Sequence, residues 1–549
     1  MDLLNSLFLS APWAVLRAGL HFAFLLVLVY LLKQVFDLRT VTGLRHLAKP
    51  RAGFNLAVVG IGALFVGALA YQATWQLSGT SRQQFVAFMQ SHDRRQFNPA
   101  HWIERGRILD HRGRVLAESR EVASPSASPS TGRSQLGDAR RISTEVQRYY
   151  PLGPGFAHVV GYAHPRFGTS GMEAAGNVSL NGGTPENWLE WGELGRQLVT
   201  RDKRAKGRDL VLTLDADLQA LAYQRLGGRP GAIVMLVPGD GAVRVMTSSP
   251  SFDPNLLDGD LFGGHDPAAR LLNRATAGLY PPGSTFKVVL AAQSLDAGQQ
   301  PVLQCPADGF TTSKRYPKIR DHEYYSARRS GKVWRGFGRI GLGRALAKSS
   351  NVYFAQLGVQ QGHDAFHRTL DRFAFNSRVV LTDGLSSRQL MRTGPVPRIA
   401  RSDQYGLAQA SIGQGKVLTT PAHMALITAA IANGGLAMRP RLTAAEPAEG
   451  LARFMTANTA RRLAAMMRRV VTEGTARGID VPELAIAGKT GTAQNPIGEA
   501  HSWFIGFAPA GRPRLAVAVM VEHAGYGSAV AAPIAQELLL LAQERGLLQ

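Results

Sequence analysis

Strand-like runs stand at both ends of a long helical stretch, and that arrangement limits the folds open to this chain. Ile233–Val237 and Val243–Met246 flank Pro238-Gly-Asp-Gly241 and read as a β-hairpin. From about Arg270 the apolar spacing turns helical, returning to strands only at Leu484–Ile486, Trp503–Phe507 and Leu515–Val521, before a closing helix at Ala529–Gln543. The two ends are expected to meet in one sheet assembled from sequence-distant pieces, with a helical subdomain beside it: an α+β fold. Leu210–Leu214 is a further strand, and Asp215 is placed to cap a helix carrying Leu218, Leu221 and Leu226. At 549 residues the chain exceeds a single core, and about three or four domain-sized units are expected.

Upstream, Arg107–Ala117 reads as two short strands around a turn with Asp110 and Gly113. Ala123 to Gly132 is a Pro/Ser/Ala tract with nothing to bury, expected to be a disordered excursion within 121–135. Structure resumes at Arg148–Gly153, His158–Tyr162 and Gly171–Glu173, and composition shifts after the basic stretch Arg196–Arg208. These boundaries give a smaller β-rich domain at 76–205 and a larger domain at 206–549.

The amino-terminal end reads as a membrane anchor, residues 1–75. Leu20–Leu32 with its flanks (14–36) and the stretch from Phe54 to Tyr71 (54–73) are both near the length that spans a bilayer. Between them Lys33, Arg39, Arg45, Lys49 and Arg51 face one acid, Asp37. By the positive-inside rule that loop is cytoplasmic, and everything after about Ala73 lies outside the cytoplasm. A cleaved signal ending near Ala68-Leu-Ala70 is the rival, but its apolar run begins too late in the chain. Arg17 and His21 leave an interfacial helix open for the first stretch. Net charge is +23, which favours an anionic partner. No zinc-finger spacing, P-loop or RNP-like motif supports nucleic acid, so anionic lipid is the better account. Cys305 is the sole cysteine, excluding intramolecular disulfides and Cys-rich metal sites; it reads as a packed apolar residue.

Three motifs carry chemistry. Pro281-Pro282-Gly283 breaks the chain before Ser284-Thr-Phe-Lys287, so Ser284 is expected in the first turn of a helix with Lys287 on the same face. Positive potential at a helix start stabilises an oxyanion, and with burial it lowers a lysine pKa towards that of a usable base. The bland alternative is a capping serine and a surface lysine, and a Ser-x-x-Lys arises by chance roughly once or twice in such a length. Ser349-Ser350-Asn351 precedes an apolar helix and suits an N-cap; chemically, it offers a hydroxyl to carry a proton and an amide to hold Lys287. Lys489-Thr490-Gly491-Thr492 is a lysine-led turn or, with Gly488, an uncluttered β edge that pairs with an extended peptide and binds its carboxylate. All three in this order are much rarer than any one.

On these motifs the chain resembles the class B penicillin-binding proteins, monofunctional peptidoglycan D,D-transpeptidases, from about residue 100 onward. Arg105-Gly-Arg-Ile-Leu-Asp110 looks like the family's amino-terminal pedestal signature, which makes 76–205 a pedestal or dimerisation-like domain. Asn273-Arg-Ala275, Ser411-Ile-Gly-Gln-Gly415, Trp503–Phe507 and Ala531-Ala-Pro533 also match family segments. The resemblance implies a serine β-lactamase-like transpeptidase domain with a central antiparallel sheet, no cofactor and no metal. It also implies roles. Ser284 attacks the penultimate D-Ala carbonyl of a stem peptide, Lys287 is the base, Ser349 relays the proton and Asn351 positions Lys287. Lys489, Thr490, Gly491 and Thr492 bind substrate, and the N–H groups of Ser284 and Thr492 form the oxyanion hole. Expected partners are stem peptides, β-lactams, the cytoplasmic membrane and a SEDS-family glycosyltransferase, with the catalytic domain periplasmic. The rivals are a D,D-carboxypeptidase or β-lactamase with water as acceptor, or a β-lactam-binding or scaffolding protein; the His-Glu-x-x-His of sensor proteins is absent.

Overall fold

The computed structural model describes residues 103–123, 144–182 and 205–549, except 265, 385, 386 and 496, together with Gly62 and Gly67. The two expected membrane stretches lie outside the described residues apart from those two glycines, both helical, and most of 121–135 lies outside as well. Among the described residues no helix is long and apolar enough to cross a membrane.

The amino-terminal sheet is built from β1 (Ile108–Leu109), β2 (Val115–Ala123), β3 (Thr144–Tyr149) and β4 (Leu210–Val211), in the order β3-β2-β1-β4. Asp110 makes the expected turn by accepting from the backbone N–H of Arg112 and Arg114, both at 2.8 Å, while Gly113 takes φ 84°. Strand β2 runs on to Ala123, which opposes Thr144, so Glu121–Ala123 are strand where a disordered excursion was expected. Cross-strand pairing supplies the order that composition did not signal. Arg105 and Arg148 both bond the fully buried Glu173, at 2.7 and 2.6 Å. Burial raises the Glu173 pKa, but the two guanidinium groups outweigh it and hold the carboxyl below its usual range.

Asp215 caps α1 (Ala216–Leu226), accepting from Asp217 and Leu218 N–H as expected. The hairpin forms as β5 (Gly231–Leu236) and β6 (Val243–Ser249). The helical middle supplies α2 (Lys287–Asp296), α3 (His322–Arg329), α4 (Asn351–Gln361), the almost entirely buried α5 (Pro421–Ala432) and α6 (Ala457–Thr472). Strands β7 (Ala487–Ala493), β8 (His501–Ala508) and β9 (Leu515–Val521) and helix α7 (Ala531–Glu544) close the chain.

The two ends meet in an antiparallel sheet of order β6-β5-β9-β8-β7. Thr247, Ile233, Val519, Phe504 and Thr490 form one row across all five strands. Every residue of β5, β8 and β9 is buried, because helices cover both faces: α5 and α6 pack together on the sheet, as do α1 and α7. Helix α5 is buried on every side because the sheet lies on one side and α6 on another, and its two polar side chains, His423 and Thr428, are hydrogen-bonded to backbone carbonyls.

Two further expectations fail. Leu484–Ile486 is a turn, closed by Ala485 N–H to Val481 O with Ala485 at φ 45°; its apolar residues are buried without being strand. The helical middle also holds three short antiparallel pairs, Leu303–Cys305 with Gly338–Ile340, Arg378–Asp383 with Arg388–Arg392, and Leu436–Met438 with Gly450–Arg453. They are too short or too polar to show a two-residue apolar period.

Candidate active site

The nucleophile turn comes first. Gly283–Phe286 is a 3-10 turn leading into α2, which places Ser284 one turn ahead of Lys287 as expected. Gly283 sits at φ 53°, donates to Gly413 O at 2.9 Å, and leaves no room for a side chain: a Cβ there would lie 2.7 Å from Thr492 O. The turn is thereby wedged against β7. Ser284 is half-buried, lines a cavity of about 550 Å³, and has no side-chain hydrogen bond among the described residues.

Lys287 is fully buried. Its Nζ donates to Ser349 O at 2.6 Å and Asn351 Oδ1 at 2.7 Å, with Ser349 Oγ at 3.3 Å. Asn351 is itself aimed by its Nδ2, which donates to Arg320 O at 3.0 Å. The two readings of the Ser-Ser-Asn tripeptide divide between its serines. Ser350 is the cap of α4, accepting from Tyr353 N–H. Ser349 is held at φ 57°, a conformation costing a non-glycine residue about 1–3 kcal/mol. There its hydroxyl also accepts from Lys489 Nζ at 2.9 Å, so it stands between two amines.

Lys489 is buried too, and its Nζ donates to Thr490 O at 2.8 Å. The motif is itself the edge strand β7, with Lys489 opposite Ile505 and Gly491 opposite Trp503. A Cβ on Gly491 would lie 2.8 Å from Thr285 Cγ2, so the glycine lets the strand close on the nucleophile turn. Thr490 and Thr492 line the cavity; the Thr490 hydroxyl is 2.6 Å from that of Thr475.

Burial lowers the Lys287 pKa to about 7, against the pull of Asp321 and Glu323. Burial, then repulsion from Lys287, push the Lys489 amine well below its ordinary value. All eight residues expected from the motifs therefore converge on one cleft, and an amine that is partly free at neutral pH lies within a hydrogen-bonded chain that a proton can follow.

The motifs gave no hint of Asp321 and Glu323. Asp321 is buried, accepts from Ser350 Oγ at 2.9 Å and Val352 N–H at 3.1 Å, and has its pKa raised by burial. Glu323 lines the cavity, with its pKa raised for the same reason. The only available signal is that they are the sole acids within a strongly basic stretch, 314–348. Asp321→Asn keeps an acceptor for Ser350 but removes a charge that raises the Lys287 pKa. The acid limb of the pH profile for acylation by penicillin should therefore move to lower pH; a move upward would show that Asp321 acts otherwise. Cys305 is buried behind Ser350, and burial pushes its thiol up to about 11. Among the described residues no cluster of three His, Cys, Asp or Glu is gathered for a metal ion.

Comparisons with known proteins agree with this geometry. Residues 231–540 match the penicillin binding protein transpeptidase domain family, and 134–206 the penicillin binding protein A dimerisation domain family. The peptidoglycan D,D-transpeptidase PbpA of Mycolicibacterium smegmatis is 32% identical over 435 residues, 73% of this chain and 84% of that protein. The peptidoglycan D,D-transpeptidase MrdA of Acinetobacter baumannii is 31% identical over 459 residues, 71% of this chain and 65% of that protein. A solved ceftriaxone acyl-enzyme complex of penicillin-binding protein A from M. tuberculosis superposes with TM-score 0.67 at 28% identity, covering 81% of this chain and 99% of that one. Pseudomonas aeruginosa PBP2 gives TM-score 0.61 at 30% identity, with coverages of 80% and 96%.

Proposed function

The chain belongs to the class B penicillin-binding proteins, and from that premise we propose how its residues carry out serine D,D-transpeptidation. It is a peptidoglycan D,D-transpeptidase that cross-links stem peptides through an acyl-enzyme and is inhibited by β-lactams. Ser284 Oγ attacks the carbonyl of the penultimate D-Ala. The Oγ–C bond forms, the C–N bond to the terminal D-Ala breaks, and the Oγ proton passes to Lys287 Nζ. Ser349 hands a proton on to the leaving amine; in the second half-reaction a neighbouring stem's amine attacks and the proton path reverses.

Asn351 fixes Lys287, while Lys489 with Thr490 and Thr492 binds the substrate carboxylate along β7, whose edge Gly491 keeps clear. The N–H groups of Ser284 and Thr492 bind the oxyanion; a single such donor is typically worth about 10²–10³ in rate. What carries this reading is the Ser349 hydroxyl, set 3.3 and 2.9 Å from two buried amines.

The sequence supports a wider setting. Residues 14–36 and 54–73 anchor the chain in the cytoplasmic membrane, their basic loop inside, with pedestal 76–205 and catalytic domain 206–549 periplasmic. A SEDS-family glycosyltransferase supplies the glycan there. Two experiments test the reaction. Fluorescent penicillin should label the chain, with the adduct mapping to the peptide carrying Ser284. A pentapeptide donor with added D-amino acid should then yield exchanged peptide faster than hydrolysed product. Hydrolysis alone would make the enzyme a carboxypeptidase.

A further inference from the structure

We propose that the basic collar 314–348 beside the cleft is a docking surface for the polyanionic glycan strand, catching carboxylates of neighbouring stem peptides while one stem enters the site. This rests on the transpeptidase reading and specifies the form of its substrate.

The stretch holds eleven lysines and arginines against two acids, a surplus of nine of the chain's twenty-three net charges. Of the two acids, Asp321 is buried and Glu323 is half-buried in the cavity wall, and both act on Lys287, so they offset little of the charge on the exposed face. Lys314, Arg315, Arg328, Lys332, Arg335 and Arg339 are exposed, and none of their side chains has an ion pair or hydrogen bond among the described residues. Surface arginines elsewhere are commonly paired, as Arg388 is with Asp383 and Arg401 with Asp364. Arg328 and Arg329 lie in the last turn of α3, where a helix dipole favours cations, but that accounts for none of the other five.

The collar meets the cleft through several of its residues. Lys318, Arg320, Tyr325 and Lys348 line the cavity itself. Helical spacing sets Arg328 and Arg329 on the same side of α3 as Tyr325. Arg329 reaches the far rim, donating to Tyr526 Oη at 3.2 Å, while His322 meets the Tyr526 ring at 5.1 Å. A molecule that enters the cavity therefore passes the part of the collar that lines its rim. A strand of repeated stems presents many carboxylates at once, where a lone stem peptide presents few. Clustered charge of one sign at a cleft mouth raises encounter rates about 10–10³-fold, and the gain falls with salt.

The test compares the full-length wild type with the triple variant Arg328→Gln/Lys332→Gln/Arg335→Gln on three reactions: penicillin acylation, transfer from a soluble single-stem pentapeptide, and cross-linking of uncross-linked glycan strands. The variant should lose about tenfold in kcat/KM on strands at low salt, and high salt should abolish that difference. Pentapeptide transfer and acylation should stay within about twofold, and Arg328→Lys/Lys332→Arg/Arg335→Lys should behave as wild type. Undiminished strand cross-linking overturns the proposal, as does equal loss on strands and pentapeptide. If only wild type binds phosphatidylglycerol-containing vesicles while strand rates match, the collar serves lipid and the proposal fails. A wild type that takes no penicillin would instead sink the transpeptidase reading.

Discussion

A Ser284→Ala enzyme should fold normally and form no covalent adduct with penicillin, with cross-linking below detection. The Ser284 hydroxyl has no hydrogen-bond partner to lose among the described residues, and the residue is only half-buried. Alanine suits a helical turn, so unfolding free energy should change by no more than about 0.5 kcal/mol. Without an Oγ there is no atom to carry the acyl group, whatever its neighbours do. The two measurements are gel fluorescence after labelling and a thermal melt. An adduct on a folded variant would move the nucleophile to another hydroxyl, and Ser349, already between two amines, would be the first to examine.

Lys287→Ala should acylate about 10²–10⁴-fold more slowly, the usual range for loss of a general base. The pH dependence gives the sharper readout. Burial brings the Lys287 pKa to about 7, so the fraction present as free amine, the form able to take the Ser284 proton, grows as pH rises through that value. Wild-type acylation should climb with pH across about one unit either side of 7 and then level off, and the variant should lack that climb. Losing the Lys287 charge also removes a repulsion on Lys489, which should then hold its proton more firmly. An unchanged climb in a slow variant would transfer the base role to Lys489.

The site was more legible in the sequence than the fold around it. Three motifs far apart along the chain named eight residues, and the structure gathers them at one cleft, since each motif is contiguous and the fold had only three short segments to bring together. The turn at Leu484–Ile486 was misread because apolar alternation reports burial, and these residues are buried without pairing. The real strand, β7, shows no alternation, since glycines, a lysine and threonines occupy it for the cleft's sake. Glu121–Ala123 took their order from a partner strand that lies beyond the low-complexity tract. Asp321 and Glu323 stayed hidden because their influence on Lys287 is exerted through space and leaves no sequence spacing to find.

The sheet also fixes when activity can first exist during synthesis. A ribosome that has delivered residue 480 has already made Ser284, Lys287 and Ser349, yet three of the five strands are still to come. Until β9 arrives, β5 keeps one edge bare, and α5 has no complete surface to lie on. Nascent chains that lack these strands are therefore chemically silent while their sheet edge stays bare, so slow delivery of residues 481–521 endangers solubility before it endangers catalysis.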